Sequence, residues 1–159
     1  MKYIAITLIT LTFSIFNFQL MAQDSEKAKQ DSTYNEKLAL KYGADDYGMS
    51  QYVMAFLKAG PNRDRSPEQA QELQAAHMAN IGRLADEGKL LLAGPFLDDG
   101  ELRGIYIFNV KTIEEAKALT ETDPAIIAGS LVMELHPWYG SAAVKSINEL
   151  HPQPQKVKF

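Results

Sequence analysis

The chain contains no cysteine and has a small excess of negative charge. Without cysteine there can be no disulfide, no thiolate nucleophile and no lipid attached to a cysteine thiol. Lys and Arg together number 16 against 20 Asp and Glu, which leaves a formal net charge of -4. Proteins that bind nucleic acid usually carry a basic surface. We therefore expect no nucleic-acid partner.

Motifs for phosphate, dinucleotide and metal binding are also missing. The sequence has no glycine-rich phosphate loop, no dinucleotide fingerprint and no serine nucleophile elbow. Glu134 and His136 lie two apart on a predicted strand and so share a face, which is only a weak metal signal. We predict a protein without cofactor or metal.

The first residues have the composition of an export signal. Lys2 precedes the apolar run "YIAITLITLTFSIFNFQLM", and Ala22 is a small residue suited to cleavage. The run is also of borderline length for a transmembrane anchor. Cleavage is favoured because the polar stretch "QDSEKAKQDS" follows at once. We expect residues 1–22 to be a Sec-type signal peptide. The mature protein would be periplasmic or secreted, without membrane attachment and not a lipoprotein.

The rest of the chain is expected to form one domain with two flanking segments. Residues 23–50 are largely polar and include one short predicted helix, "YNEKLALKY", which Gly43 would end. Residues 51–143 are predicted to fold as the domain, and residues 144–159 form a weakly patterned C-terminal tail. The composition, 46% hydrophobic and 23% charged, is normal for a globular protein.

Strand and helix patterns follow one another in the order β-α-β-β-α-β. Strands are predicted at "QYVMAFLKAG", "KLLLAGPF", "LRGIYIFNV" and "SLVMELH", with a hairpin turn at Asp99-Gly100. Ser66 and Thr112 begin the two helices as capping boxes with the Gln or Glu three residues later. "DPAIIAG" is a linker of at most one helical turn. This order favours an α+β fold with a four-stranded antiparallel sheet and both helices on one face.

Both faces of the predicted sheet are apolar. Along "YVMAFL", residues 52–57, alternate side chains point to opposite faces, and "IYIF", residues 105–108, repeats the pattern. Two helices can cover only one face of such a sheet, and a large exposed apolar face is unusual on a monomer. A second copy packed sheet to sheet is the simplest cover, so we predict a homodimer.

One helical residue breaks the apolar pattern of "QAAHMANIGRL", residues 74–84. Leu73, Ile81 and Leu84 fall on one side at helical spacing. His77 lies among them. A lone His on an apolar helix face is more often bonded to a backbone carbonyl than catalytic. An imidazole, with a reference pKa of about 6.5, is nevertheless a competent proton acceptor near neutral pH.

Asp123 has two interpretations as well. It precedes Pro124, and Asp-Pro commonly starts a turn. Its carboxylate could instead orient a histidine and stabilise the imidazolium. Among weaker candidates, Arg63, Arg65 and Arg103 could hold an anionic substrate, although loop arginines are usually just exposed. Asp86 is more simply a solvated carboxylate.

Four segments together resemble the YciI-like (YCII-related) family over roughly residues 51–140. They are "AAHMANIGRLADEGKLLLAGPF", "LDDGELRGIYIF", "AKALTETDPAIIAG" and "VMELHPW". The resemblance implies a ferredoxin-like dimeric α/β-barrel, and a proposed catalytic His and Asp that fall on His77 and Asp123. One activity associated with the family is removal of chloride from a chlorinated aromatic diol. The export signal and residues 23–50 depart from the family and put a cytoplasmic role in doubt.

Two functions remain open at this point. The first is a small-molecule enzyme that uses His77 and Asp123 for acid/base chemistry of the lyase, dehydrochlorinase or isomerase type. The second is a non-catalytic envelope protein that binds a small molecule. Haem binding, known in other dimeric α/β-barrels, is a less favoured third. Fold alone does not choose among them, because one fold hosts many functions.

Overall fold

The computed structural model describes residues 33–157. The chain divides into two units, residues 1–38 and 39–159. The predicted signal peptide, and residues 23–32 of the polar segment, lie outside the described residues. Helix α1 (Glu36–Tyr42) precedes Gly43, which takes a left-handed φ of 59°. Within residues 33–157, no helix is both long and apolar enough to cross a membrane.

The remaining elements follow the predicted order and end in two further short helices. They are β1 (Met49–Ala59), α2 (Pro67–Asp86), β2 (Leu90–Pro95), β3 (Leu102–Phe108), α3 (Ile113–Thr120), α4 (Pro124–Ile127), β4 (Leu131–Ser141), a 3-10 helix (Ala142–Ser146) and α5 (Ile147–Leu150). The four strands pair antiparallel in the order β2-β3-β1-β4. The predicted α+β, ferredoxin-like β-α-β-β-α-β fold is confirmed.

The two main helices begin at the predicted caps. The Ser66 hydroxyl accepts a hydrogen bond from the Gln69 backbone N at 3.3 Å, and the Gln69 side chain accepts from the Ser66 backbone N at 3.1 Å. Pro67 occupies the first helical position, where a missing N–H costs nothing. Thr112 makes the equivalent box at the start of α3. These caps fix the start of α2, a 20-residue helix with His77 near its middle.

The last strand is longer than predicted. The pattern "SLVMELH" suggested an end at His136, but β4 continues to Ser141. Pro137, which pairs with Val53, does not break it. β4 is an edge strand, where a proline can direct its missing N–H away from the ladder. The extension brings Trp138 opposite Tyr52, with ring centroids 5.5 Å apart.

The main core lies between the sheet and the helices. Its buried members are Val53, Ala55, Leu57, Leu84, Leu90, Tyr106, Phe108, Val110 and Ala116. They are the helix-facing alternate positions of the strands, together with apolar positions of α2 and α3 and the strand ends. Tyr106 alone among them carries a polar group, and a buried phenol normally finds a hydrogen-bond partner.

The opposite face of the sheet has a smaller buried cluster. Tyr52, Leu91 and Ile107 form it, and Val144 of the 3-10 helix and Trp138 pack against it. Further along the same face, Met54, Phe56 and Ile105 are only half-buried, and Val132 is exposed. The segment after β4 therefore covers part of the helix-free face. Much of the apolar surface remains accessible among the described residues.

Candidate active site

Helix α2 points His77 at the sheet, where it meets Asp123. The imidazole Nδ1 lies 2.9 Å from each of the two carboxylate oxygens of Asp123. His77 is 7% exposed and Asp123 is 1% exposed. The two residues are 46 positions apart in sequence and are brought together where α2 packs against α4. The residues singled out from the sequence are thus in direct contact.

Asp123 also caps a helix. Its Oδ1 accepts a hydrogen bond from the Ala125 backbone N at 2.9 Å, and Pro124 follows as the first residue of α4. An ionised carboxylate can only accept hydrogen bonds. We therefore assign the shared proton to His77 Nδ1, which leaves the lone pair on Nε2. The turn-forming role of Asp123 and its contact with His77 coexist.

Tyr106 of β3 completes the site, and sequence reasoning did not include it. Its hydroxyl lies 3.4 Å from His77 Nε2, and the two rings are nearly parallel, with centroids 6.4 Å apart. Burial, and secondly the charge of Asp123, raise the pKa of Tyr106 above its ordinary range. The phenol therefore stays protonated at neutral pH and can donate a hydrogen bond. Tyr106 alternates with Ile105 and Ile107, which places its hydroxyl group on the helix-facing side of β3. This pattern is the sequence signal from which Tyr106 could have been identified.

The raised pKa of Tyr106 predicts a specific loss of stability at alkaline pH. In the unfolded chain a tyrosine ionises near pH 10. Stability from the buried, protonated phenol is complete below that pH and is lost as pH rises toward the higher folded-state pKa. The free energy of unfolding should therefore fall faster for the wild type than for Tyr106→Phe, by about 1.4 kcal/mol for each pH unit above 10.

Urea unfolding followed by circular dichroism, from about pH 9 to 11.5, measures this difference. The other titrating groups are present in both proteins, so their contributions cancel in the difference between the wild type and Tyr106→Phe. Tyr47→Phe, at a tyrosine that is 86% exposed, is the matched control and should follow the wild type. Parallel curves for Tyr106→Phe and the wild type would contradict the prediction.

A polar network lies beside the His77–Asp123 pair. Asn80, one helical turn after His77, accepts hydrogen bonds at its Oδ1 from Arg83 at 2.8 Å and from the Thr122 hydroxyl at 3.1 Å. Arg83 also reaches the Thr122 hydroxyl at 2.9 Å. These bonds tie the residue before Asp123 to α2. Asn80 Nδ2, by contrast, is buried and has no hydrogen-bond partner among residues 33–157.

His77 and Tyr106 line a cleft of about 1410 Å³ that follows α2 and β2. Small-molecule pockets commonly measure roughly 300–1,000 Å³, so the volume of this cleft is sufficient for a small ligand. Its apolar walls include Leu57, Leu73, Ile81, Leu92 and Leu131. Arg63, Arg65, Arg103 and Asp86 also line the cleft, and His151 and Gln155 of the C-terminal segment lie along it.

Glu134 and His136, the weak candidates for a metal site, lie away from the His77–Asp123 pair. Glu134 and His136 contact each other at 2.8 Å, but both are exposed on the helix-free face, whereas His77 lies on the helix side. Within residues 33–157, no group of three or more His, Cys, Asp or Glu side chains is arranged to hold a metal ion.

A comparison with models of protein families identifies the family of this chain. The family model of the YCII-related domain matches residues 52–139. The chain belongs to the YCII-related family. The resemblance drawn from the sequence is thus confirmed. The match runs from β1 into β4, so His77, Tyr106 and Asp123 all lie inside the YCII-related domain of this chain.

The proteins that are similar to this YCII-related chain include the following two. The uncharacterized protein YjpA of Bacillus subtilis (strain 168) is 32% identical over 68 residues, which span 43% of this chain and 78% of YjpA. The other is 5-chloro-2-hydroxyhydroquinone dehydrochlorinase (TftG) from Burkholderia phenoliruptrix AC1100, solved with 2,5-dihydroxybenzoquinone. It is 22% identical with a TM-score of 0.42, and the similarity covers 56% of this chain and 93% of that chain.

Proposed function

We propose that this YCII-related protein is a small-molecule enzyme that moves protons, with His77 as the general base. One observation carries the proposal. His77 Nδ1 lies 2.9 Å from both oxygens of the buried Asp123 carboxylate, while His77 and Tyr106 line the cleft. A carboxylate on one imidazole nitrogen makes the other nitrogen the proton acceptor. Burying a carboxylate costs folding free energy, and a hydrogen-bond partner often does not fully offset that cost. Buried carboxylates of this kind are found mostly at functional sites, which favours a catalytic role for the pair.

The chemistry follows from the three side chains. His77 Nε2 takes a proton from an acidic carbon or hydroxyl of the ligand. The Asp123 carboxylate stabilises the imidazolium that forms. The protonated phenol of Tyr106 donates a hydrogen bond to the ligand oxygen on which negative charge develops. If a leaving group such as chloride departs from the neighbouring carbon with the bonding electrons, the result is an elimination. If His77 returns the proton to another carbon, the result is an isomerisation.

Hydrogen–deuterium exchange tests this function whatever the net reaction is. Small metabolites and aromatic acids that raise the melting temperature identify ligands of the folded protein. Each ligand is then incubated with the protein in D₂O and followed by ¹H NMR. A general base should catalyse deuterium incorporation at one acidic position, or convert the ligand. Ligands that bind but neither exchange nor react would favour the alternative, a non-catalytic binding protein.

We also propose that the protein is a homodimer built through the helix-free face of the sheet. The half-buried side chains Met54, Phe56 and Ile105 support this, because an apolar surface of this kind needs a cover. Light scattering should give twice the chain mass. Phe56→Glu, which places a carboxylate beside Glu134, should shift the protein toward the monomer. Leu97→Glu, at a loop residue that is 98% exposed, should not. A wild-type monomer at micromolar concentration would contradict the proposal.

Export of the protein is the third proposal, and it rests on the sequence of residues 1–22. Mass spectrometry of protein recovered from the cell envelope should find a mature chain that starts near Gln23. Recovery of the intact apolar segment from membranes would show that it is an anchor instead.

A further inference from the structure

The loop between β1 and α2 is fastened to the turn that follows α4. The Gly60 backbone N donates to Ser130 O at 2.9 Å, and the Asn62 backbone N donates to Gly129 O at 3.0 Å. The two backbones approach so closely that a Cβ on Gly60 would collide with the Gly129 carbonyl oxygen. The position of this loop is therefore fixed relative to α4.

Two arginines project from this fastened loop. Arg65 donates to Ala128 O at 2.7 Å and also to Asn62 O, and Arg63 donates to Ser130 O at 3.2 Å. Neither has a carboxylate partner within residues 33–157. Each guanidinium has five N–H donors, so most donors remain free for a ligand. The carbonyl bonds hold the two cations in place before any ligand arrives.

Helix α4 links the arginines to the His77–Asp123 pair. Asp123 caps its N-terminus, and Ala128, whose carbonyl accepts from Arg65, caps its C-terminus. At 1.5 Å per residue, these two positions lie about 7.5 Å apart along the helix axis. Arg63, Arg65 and His77 line the same cleft, and apolar side chains such as Leu57 and Leu131 line it as well. Asp64, between the two arginines in sequence, does not line this cleft.

We propose that Arg63 and Arg65 form a subsite for the carboxylate of the small molecule on which His77 acts. The inference rests on the proposed function for the choice of cleft. A planar guanidinium matches a carboxylate with paired hydrogen bonds, and the surrounding apolar walls strengthen the attraction. The ligand class is therefore a small organic acid. Its apolar or aromatic body spans the distance from the arginines to His77 Nε2.

Binding of benzoate and of its neutral analogue benzamide tests the subsite by NMR titration, with no need for turnover. Benzoate should cause saturable amide shifts in residues 60–66 and 125–131. Benzamide should bind more weakly, by about tenfold or more. Arg65→Gln should weaken benzoate binding by about tenfold or more and leave benzamide binding unchanged. Lys117→Gln, on the exposed face of α3 away from the cleft, is the matched control for loss of one positive charge and should bind benzoate normally.

Several outcomes would overturn the subsite. Absence of saturable benzoate shifts is one, and equal affinity for benzoate and benzamide is another. An equal loss of both ligands in Arg65→Gln would mean that Arg65 only holds the loop. If that variant fails to fold, Arg63→Gln, whose exposed side chain donates to the Ser130 carbonyl, replaces it with the same expectations. The exchange assay reports on the general base and the benzoate titration of the arginine variants reports on the subsite, so failure of the general base and failure of the subsite are distinguishable.

Discussion

Replacement of His77 by Gln is expected to lower turnover by about 10²–10⁴-fold while the fold is retained. The Gln amide N–H can still donate to the buried Asp123 carboxylate, so that group keeps a partner. The amide cannot accept a proton near neutral pH, so the general base is lost. The rate of deuterium incorporation into a ligand found by the exchange screen is the measurement. Wild-type exchange by His77→Gln would contradict the assignment of His77 as the base.

The matched variant His77→Leu separates catalysis from stability. Leucine leaves the Asp123 carboxylate with the hydrogen bond from the Ala125 backbone N–H, in a site where Asp123 is 1% exposed. A buried acceptor that loses a hydrogen-bond partner in this way typically costs about 1–3 kcal/mol, and more when the acceptor is charged. We therefore expect His77→Leu to unfold at clearly lower urea concentration than His77→Gln, although both lose exchange activity. Equal stability of the two variants would mean that the Nδ1 contact contributes little.

The sequence was enough to predict the order of the elements and one member of the site. Two capping boxes and four strand patterns specify β-α-β-β-α-β, because each signal is local. His77 stood out because it interrupts an apolar helix face. Asp123 was different, since its sequence context fits an ordinary turn as well as a carboxylate partner for a histidine. The family resemblance was what favoured the second role. No spacing rule connects residues 46 positions apart, and the packing of α2 on α4 creates their contact.

Other features depend on tertiary context and could not be predicted. The strand predicted at "SLVMELH" stopped before Pro137, but the edge position of β4 allows the strand to continue through that residue. Asn80 and Thr122 are polar residues of the kind usually found on a protein surface. Only the packed structure shows that Asn80 is buried and that it contacts Thr122. The arginines of the β1–α2 loop were considered as anion ligands. Their attachment to the turn after α4 could not be foreseen, because it is a long-range contact.

Asp123→Asn is expected to lower exchange by about 10⁴-fold with little change in the fold. Asparagine is as good a helix cap as aspartate, so its side-chain oxygen can keep the bond from the Ala125 backbone N. Its amide N–H₂ then faces His77 Nδ1 and donates to it. The imidazole proton moves to Nε2, and the nitrogen in the cleft no longer has a lone pair to accept a proton. The positive charge formed in the reaction also loses its counter-ion.

Nitrogen-15 NMR of the histidine rings measures this tautomer directly, without a substrate. Wild-type His77 should carry its proton on Nδ1, and Asp123→Asn should carry it on Nε2. Asp86→Asn removes a carboxylate from an exposed residue that lines the same cleft, so it controls for the change in charge and should leave the tautomer of His77 unchanged. A proton that remains on Nδ1 in Asp123→Asn, together with normal exchange, would mean that the carboxylate does not set the tautomer. The contact of His77 with Asp123 would then be a packing feature of α2 and α4, because a general base of this kind depends on which ring nitrogen holds the proton.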